Sequence, residues 1–142
     1  MKNKPSKLES IISSSFILGG SPCSGKTTIA ERLSKDFDLP YYKVDDHDMR
    51  HLEIANQKDH PTMVAYAKMN WDQIWSRPVD LQVREEFAFY KERFEMILDD
   101  LLNFENRVNI VMEGAAFLPS LVHSWGVPAH RTIFLVPTKE FQ

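Results

Sequence analysis

The chain has 142 residues, 43% hydrophobic and 26% charged, a balance that suits one globular domain and excludes disordered or collagen-like architecture. Its 17 Lys and Arg against 20 Asp and Glu leave a net charge of −3, which excludes nucleic-acid binding through a broad basic surface but leaves room for a local cationic pocket that holds phosphate. The single cysteine, Cys23, excludes an intrachain disulfide and fits a reducing compartment, and no apolar run approaches the roughly 20 residues of a membrane span, so the expectation is a cytoplasmic protein with no membrane or nucleic-acid partner.

At the N-terminus, Lys2, Lys4 and Lys7 precede the stretch Ile11–Leu18, an order also found in short secretory signals. Ser13, Ser14 and Ser15 interrupt the stretch and no clear cleavage site follows, so residues 1–14 read as a flexible polar tail and 15–142 as the domain. Phe16-Ile17-Leu18 has strand character, and Gly19-Gly20-Ser21-Pro22-Cys23-Ser24-Gly25-Lys26-Thr27-Thr28 follows at once. Gly20, four residues, then Gly25, Lys26 and Thr27 make a full Walker A match. Ile29, Ala30, Leu33 and Phe37 then recur at three- and four-residue spacing, which predicts a helix with one buried face, ended by Asp38-Leu39-Pro40. Strand, glycine loop and helix thus come in the order that a phosphate loop requires.

The residue types match the chemistry. Glycines let the backbone turn until consecutive N–H groups face phosphate oxygens, and the helix N-terminus adds partial positive charge. Lys26 is placed to reach the β- and γ-phosphates, and the Thr27 hydroxyl to ligate Mg²⁺. Gly20, Ser21, Pro22, Cys23, Ser24, Gly25, Lys26, Thr27 and Thr28 are therefore the nucleotide-binding candidates. Cys23 reads as a small residue tolerated by a tight turn rather than as a redox group.

Tyr41-Tyr42-Lys43-Val44 predicts a second strand, closed by Asp45-Asp46-His47-Asp48-Met49-Arg50. Ligands of open α/β sheets bind outside the carboxyl ends of strands, where this polar cluster and the glycine loop both fall. Asp48 reads equally well as a solvated helix start; Asp45, last on the strand, is the stronger functional candidate. Residues 51–106 read as mostly helical. Pro61 opens a pattern of Val64, Ala67, Trp71, Ile74 and Trp75. After Pro78, the positions Val83, Phe87, Tyr90, Phe94, Ile97, Leu101 and Phe104 alternate steps of four and three, which predicts one amphipathic helix of about 26 residues with its aromatic stripe in the core. Arg77, Arg84 and Arg93 are each read as surface residues, with substrate contact as the alternative. Val108–Met112 predicts a third, buried strand. The Glu113-Gly114-Ala115-Ala116 that closes it is Walker B-like, with Glu113 as a second Mg²⁺ candidate. Thr132–Val136 predicts a fourth strand.

On Gly20–Thr28, Asp45–Arg50 and Val108–Gly114, the chain resembles the small-molecule P-loop kinases of the nucleoside-monophosphate-kinase-like and shikimate-kinase-like group, over about residues 16–137. The resemblance implies a P-loop NTPase fold of the α/β class, with a parallel sheet ordered 2-3-1-4 and flanked by helices. It implies ATP and Mg²⁺ as cofactors, Asp45 and Asp46 at the substrate, and Arg50 holding an anionic group on it. It also implies a lid, a fifth strand and an adenine-contacting loop beyond the fourth strand. Since the sequence stops at Gln142, the expectation is a domain incomplete at its C-terminus that transfers phosphate slowly and self-associates through the strand 132–136 edge.

The leading expectation is an ATP-dependent phosphotransferase acting on a small hydroxyl compound, with Lys26 and Asp45 as its catalytic residues. A nucleotide-binding module without transfer activity, or an NTP hydrolase, are the alternatives.

Overall fold

The computed structural model describes residues 4–105 and 108–141; Met1 to Asn3 of the expected tail, Asn106 at the end of the expected helical stretch, and Gln142 lie outside the described residues. In chain order the elements are α1 (Lys4–Ser14), β1 (Phe16–Gly20), α2 (Lys26–Phe37), β2 (Tyr41–Lys43), a 3₁₀ turn (Val44–His47), α3 (Asp48–Ile54), α4 (Pro61–Ala67), α5 (Trp71–Trp75), α6 (Val79–Asn103), β3 (Val111–Glu113), α7 (Pro119–Ser124), a second 3₁₀ turn (Ala129–Arg131) and β4 (Thr132–Leu135).

The strands form one four-stranded sheet in the order β2-β3-β1-β4. All three pairings are parallel, with Ile17 beside Met112 and Thr132, and Tyr42 beside Met112. Parallel pairing puts the carboxyl ends of β1, β2 and β3 at one edge of the sheet, so everything that follows these strands in sequence is brought together in space. The α/β class and the strand order implied by the resemblance both match the structure. Among the described residues, no helix is long and apolar enough to cross a membrane.

The sheet is short but deeply buried at its centre. Ile17, Val111 and Met112 are fully enclosed. One face packs on α6 through Phe94, Ile97 and Leu101, with Ile11, Tyr42, Phe117 and Val122 in the same cluster. The other carries Leu18, Ala30 and Val111, with Leu33, Leu39 and Tyr41 packed around them. Trp125 closes the first cluster by stacking on Phe94, with ring centroids 4.1 Å apart.

Several sequence expectations change here. The segment expected as a flexible tail carries helix α1, because Ile11 and Ile12 find apolar partners and are 2% and 3% exposed. The Ser15 hydroxyl ends that helix by donating to the Ile11 carbonyl at 2.6 Å. On α2 only Ala30 of the expected apolar face is fully buried, while Phe37 is 68% exposed. The pattern that begins at Pro61 divides into two short helices, since Asn70 caps α5 through a reciprocal pair of hydrogen bonds with Gln73, each 2.9 Å long.

The long helix α6 is present as one element of 25 residues, yet its stripe is core only in its second half. Val83 and Phe87 are 47% and 48% exposed, whereas Ile97 and Leu101 are fully buried. The reason is geometric. The sheet is too short to cover both ends of a helix of this length, so the first half of α6 extends past it. There it packs against α4. Glu92 accepts from the backbone N–H groups of Thr62 and Met63 at 3.0 and 2.9 Å, capping α4 from a neighbouring helix. Strand β4 is one of the two outer strands of the sheet among the described residues, β2 being the other, and its Ile133 is 49% exposed.

Candidate functional site

The loop between β1 and α2 is shaped by its backbone. Gly20 has φ 122°, and a Cβ there would meet the Leu135 carbonyl oxygen at 2.0 Å, so no other residue fits. Cys23 (φ 58°) and Gly25 (φ 89°) also lie in the left-handed region, which curls the segment into the start of α2. Cys23 is exposed, as are Pro22 and Thr28. The Lys26 side chain is buried along the loop, its Nζ donating to the Ser21 carbonyl at 2.5 Å and lying 3.4 Å from Ser24 Oγ. A cation is thereby fixed inside a turn of left-handed backbone at a helix N-terminus, where an anion is favoured.

Thr27 and Glu113 lie 86 residues apart in sequence and meet across the β1–β3 pair. The Thr27 hydroxyl donates to Glu113 Oε1 at 2.8 Å, and the Tyr41 hydroxyl donates to the same oxygen at 3.2 Å. Glu113 is 2% exposed. Burial, reinforced by the Glu113 charge, pushes the Tyr41 hydroxyl well above its ordinary range, so it remains a donor at neutral pH. Tyr41 contributes to this group without having been singled out in the sequence. Among the described residues, no group of three or more His, Cys, Asp or Glu stands ready as a metal cage. The donor set at Thr27 and Glu113 instead suits a hard cation that brings its own phosphates and water. A hydroxyl and a carboxylate fit Mg²⁺ in that role.

A cavity of about 440 Å³ opens among α3, α4, α5 and the first half of α6, and the segment that follows Glu113 reaches its wall. Asp45 and Asp48 enter its wall from the turn after β2, and Ala115 and Ala116 from the segment after β3. Those two segments are locked together. A Cβ on Gly114 would lie 2.7 Å from Val44 Cβ, so the glycine is what lets the β3 exit close on the β2 exit. Asp45 leaves the strand one residue earlier than expected, since β2 ends at Lys43 and Asp45 sits within the 3₁₀ turn. It still faces the cavity. Asp46 is not in the cavity wall, and neither is Arg50, which is paired with Asp100.

The arginine that does line the cavity is Arg93, read from sequence as a surface residue; it is 3% exposed. Its Nη2 donates to the Val44 carbonyl at 2.6 Å and pairs with the Asp48 carboxylate. Its Nε donates to His51 Nδ1 at 2.9 Å. With Nδ1 as acceptor, the neutral ring carries its proton on Nε2, which donates to Asp100 Oδ2 at 2.9 Å. Tyr42 donates to the same oxygen at 2.7 Å, and Arg50 pairs with the other. A chain of polar contacts thus runs from Asp48 in the cavity wall through Arg93 and His51 to Asp100, holding the turn after β2 against α6.

Two carboxylates in this chain are shifted in opposite directions. Burial lifts the Asp48 carboxyl above its usual range, with Arg93 opposing. Burial would lift Asp100 too, but hydrogen bonds from His51, Tyr42 and Arg50 overcome it and hold that carboxyl well below its usual range. A depressed folded-state value means that Asp100 stabilises the fold fully above its unfolded value near about 4, and that this contribution is lost as pH falls through the folded value. Urea unfolding followed from about pH 5 downwards, the window just above and below that unfolded value, is therefore expected to show a smaller loss of stability in Asp100→Asn than in the wild type. Parallel curves for the two proteins would remove Asp100 from the acid response.

Comparison with known protein families, with curated proteins and with solved structures finds no match to this chain.

Proposed function

We propose that the protein is an ATP-dependent phosphotransferase that acts on a hydroxyl group of a small molecule. The observation that carries this reading is the meeting of Thr27 and Glu113 at 2.8 Å beside the buried Lys26, together with an acceptor-sized cavity lined by Asp45 and by Ala115, two residues past Glu113. Nucleotide phosphates would lie in the Gly20–Thr28 loop, as in P-loop NTPases, with Lys26 against the transferred phosphoryl group. Thr27 and Glu113 would hold Mg²⁺, directly and through water, and the ion would offset charge on the phosphates. The acceptor oxygen forms its bond to the γ-phosphorus as the bond to the ADP oxygen breaks. The acceptor proton passes to Asp45, and ADP carries away the leaving oxygen.

Lys26→Ala tests the loop. It removes one charge-assisted contact, about 1.5–3 kcal/mol, and is expected to weaken Mg-nucleotide binding by roughly 10- to 150-fold. Titration of both folded proteins with a non-hydrolysable nucleotide analogue measures this, and equal affinities would overturn the phosphate-loop reading. A screen of hydroxyl compounds with labelled Mg-ATP then separates the functions. Labelled product identifies a transferase, phosphate released without acceptor a hydrolase, and tight binding with neither a nucleotide-binding module. The cavity favours the first, because hydrolysis needs no chamber of this size for an acceptor.

A further inference from the structure

The cavity wall allows the acceptor class to be narrowed, on the premise that this chamber is the acceptor site. Its side walls are aromatic, supplied by Tyr66, Trp75, Phe89 and Tyr90. Tyr66 meets Phe89 edge to face at 5.3 Å, so the rings form a fixed surface. The charge in the wall is unequal. Four carboxylates, Asp45, Asp48, Glu85 and Glu86, stand against two guanidinium groups, Arg77 and Arg93. Both arginines are engaged, Arg77 by Glu85 and Arg93 by Asp48, the Val44 carbonyl and His51. An anionic acceptor would have to break one of these ion pairs and would then face the carboxylates left behind. Among the described residues, the wall charge that remains without a cationic partner is negative and belongs to Asp45 and Glu86. Glu86 accepts from the Tyr90 hydroxyl, and burial, together with that hydrogen bond, keeps the phenol protonated.

The geometry points to an acceptor that carries an ammonium group as well as its hydroxyl: an amino alcohol or amino sugar with an apolar or planar portion, its cation held by Glu86 among the aromatic rings and its hydroxyl at Asp45. The carboxylate supplies direct charge pairing, and the ring faces attract a partly desolvated cation. This reverses the polarity implied by the resemblance, in which an arginine holds an anionic substrate. Arg50, the residue that resemblance selects, lies outside the wall and is spent on Asp100.

Calorimetric titration of the full chain with three compounds of one carbon skeleton tests the inference: phenylglycinol, which is cationic, styrene glycol, which is neutral, and mandelate, which is anionic. Phenylglycinol is expected to bind at least about tenfold more tightly than mandelate. Glu86→Gln, at an exposed position where folding is not at stake, is expected to remove the advantage of phenylglycinol over styrene glycol while leaving the diol's affinity unchanged. Mandelate binding as well as phenylglycinol, an unaltered preference in Glu86→Gln, or no binding of any of the three at millimolar concentration would each overturn the inference. The underlying reading fails separately. Phenylglycinol binding that depends on Glu86, with no labelled phosphate transferred to any hydroxyl compound, supports the cation site and counts against the transferase. Lys26-dependent transfer to mandelate in preference to phenylglycinol supports the transferase and overturns the cation site.

Discussion

Asp45→Asn is expected to lower the rate of phosphoryl transfer by about a hundredfold or more, the scale on which a general base contributes, with nucleotide affinity unchanged. The substitution keeps the shape of the side chain and removes its capacity to take a proton. Position favours this residue over its neighbours. Asp45 is exposed and lines the cavity, so an acceptor hydroxyl can reach it. Asp46 is outside the wall. Asp48 is committed to Arg93, and Glu113 already accepts from two hydroxyl groups. Steady-state turnover and analogue binding measured on the same preparations separate the two effects. A rate unchanged by Asp45→Asn would transfer the role to Asp46, Asp48 or Glu113, and a parallel loss of nucleotide affinity would show that Asp45 acts on the loop rather than on the acceptor.

The parts of this architecture that were legible in the sequence are those encoded locally. The strand, glycine loop and helix from Phe16 to Phe37 lie within 22 consecutive residues, and backbone chemistry specific to Gly20 and Gly25 marks them. Glu113 was legible because it closes an apolar strand, and Asp45 because it follows a strand rich in β-formers; parallel pairing then puts both at one edge. The rest depends on contacts between distant segments. Composition assigns an arginine to the surface by default, and Arg93 is buried only because Val44, Asp48 and His51 converge on it from some forty residues upstream. A signal was present. Glu86, Arg93 and Asp100 are spaced by seven, which places them on one face of α6, and a line of three charges beside an apolar stripe indicates a polar surface that another element must cover. The aromatic positions misled for the complementary reason. Periodicity identifies the face of a helix that avoids water. It does not say whether that face meets the core, as at Phe94, or lines a chamber, as at Tyr90.

Arg93→Met is expected to destabilise the fold by a few kcal/mol, since it leaves two buried acceptors, the Val44 carbonyl and His51 Nδ1, unpaired at about 1–3 kcal/mol each. The methionine approximates the volume of the arginine stem but leaves three groups without their donor: the Val44 carbonyl, His51 Nδ1 and the Asp48 carboxylate. Val44 and Arg93 are both almost fully enclosed, so water does not readily replace the lost bonds. Arg93→Lys restores the charge, but one ammonium cannot serve three acceptors spread around a planar fork, and an intermediate loss is expected. Urea unfolding of the three proteins gives the order directly. If the methionine variant matches the wild type, the polar chain is not what fixes the turn after β2. Combining Arg93→Met with Asp48→Asn refines the result, since it removes the half-exposed carboxylate that the single substitution leaves without its partner; the double variant is expected to lose less than the sum of the two single losses. The consequence extends to the site. Val44 packs directly on Gly114, next to the Glu113 that accepts from Thr27, so a turn loosened at Val44 shifts the β3 exit as well as Asp45. Arg93→Lys, which keeps more of the fold, is accordingly expected to slow transfer more than it weakens nucleotide binding, because the loop itself is anchored through Gly20 on β4 and not through Arg93.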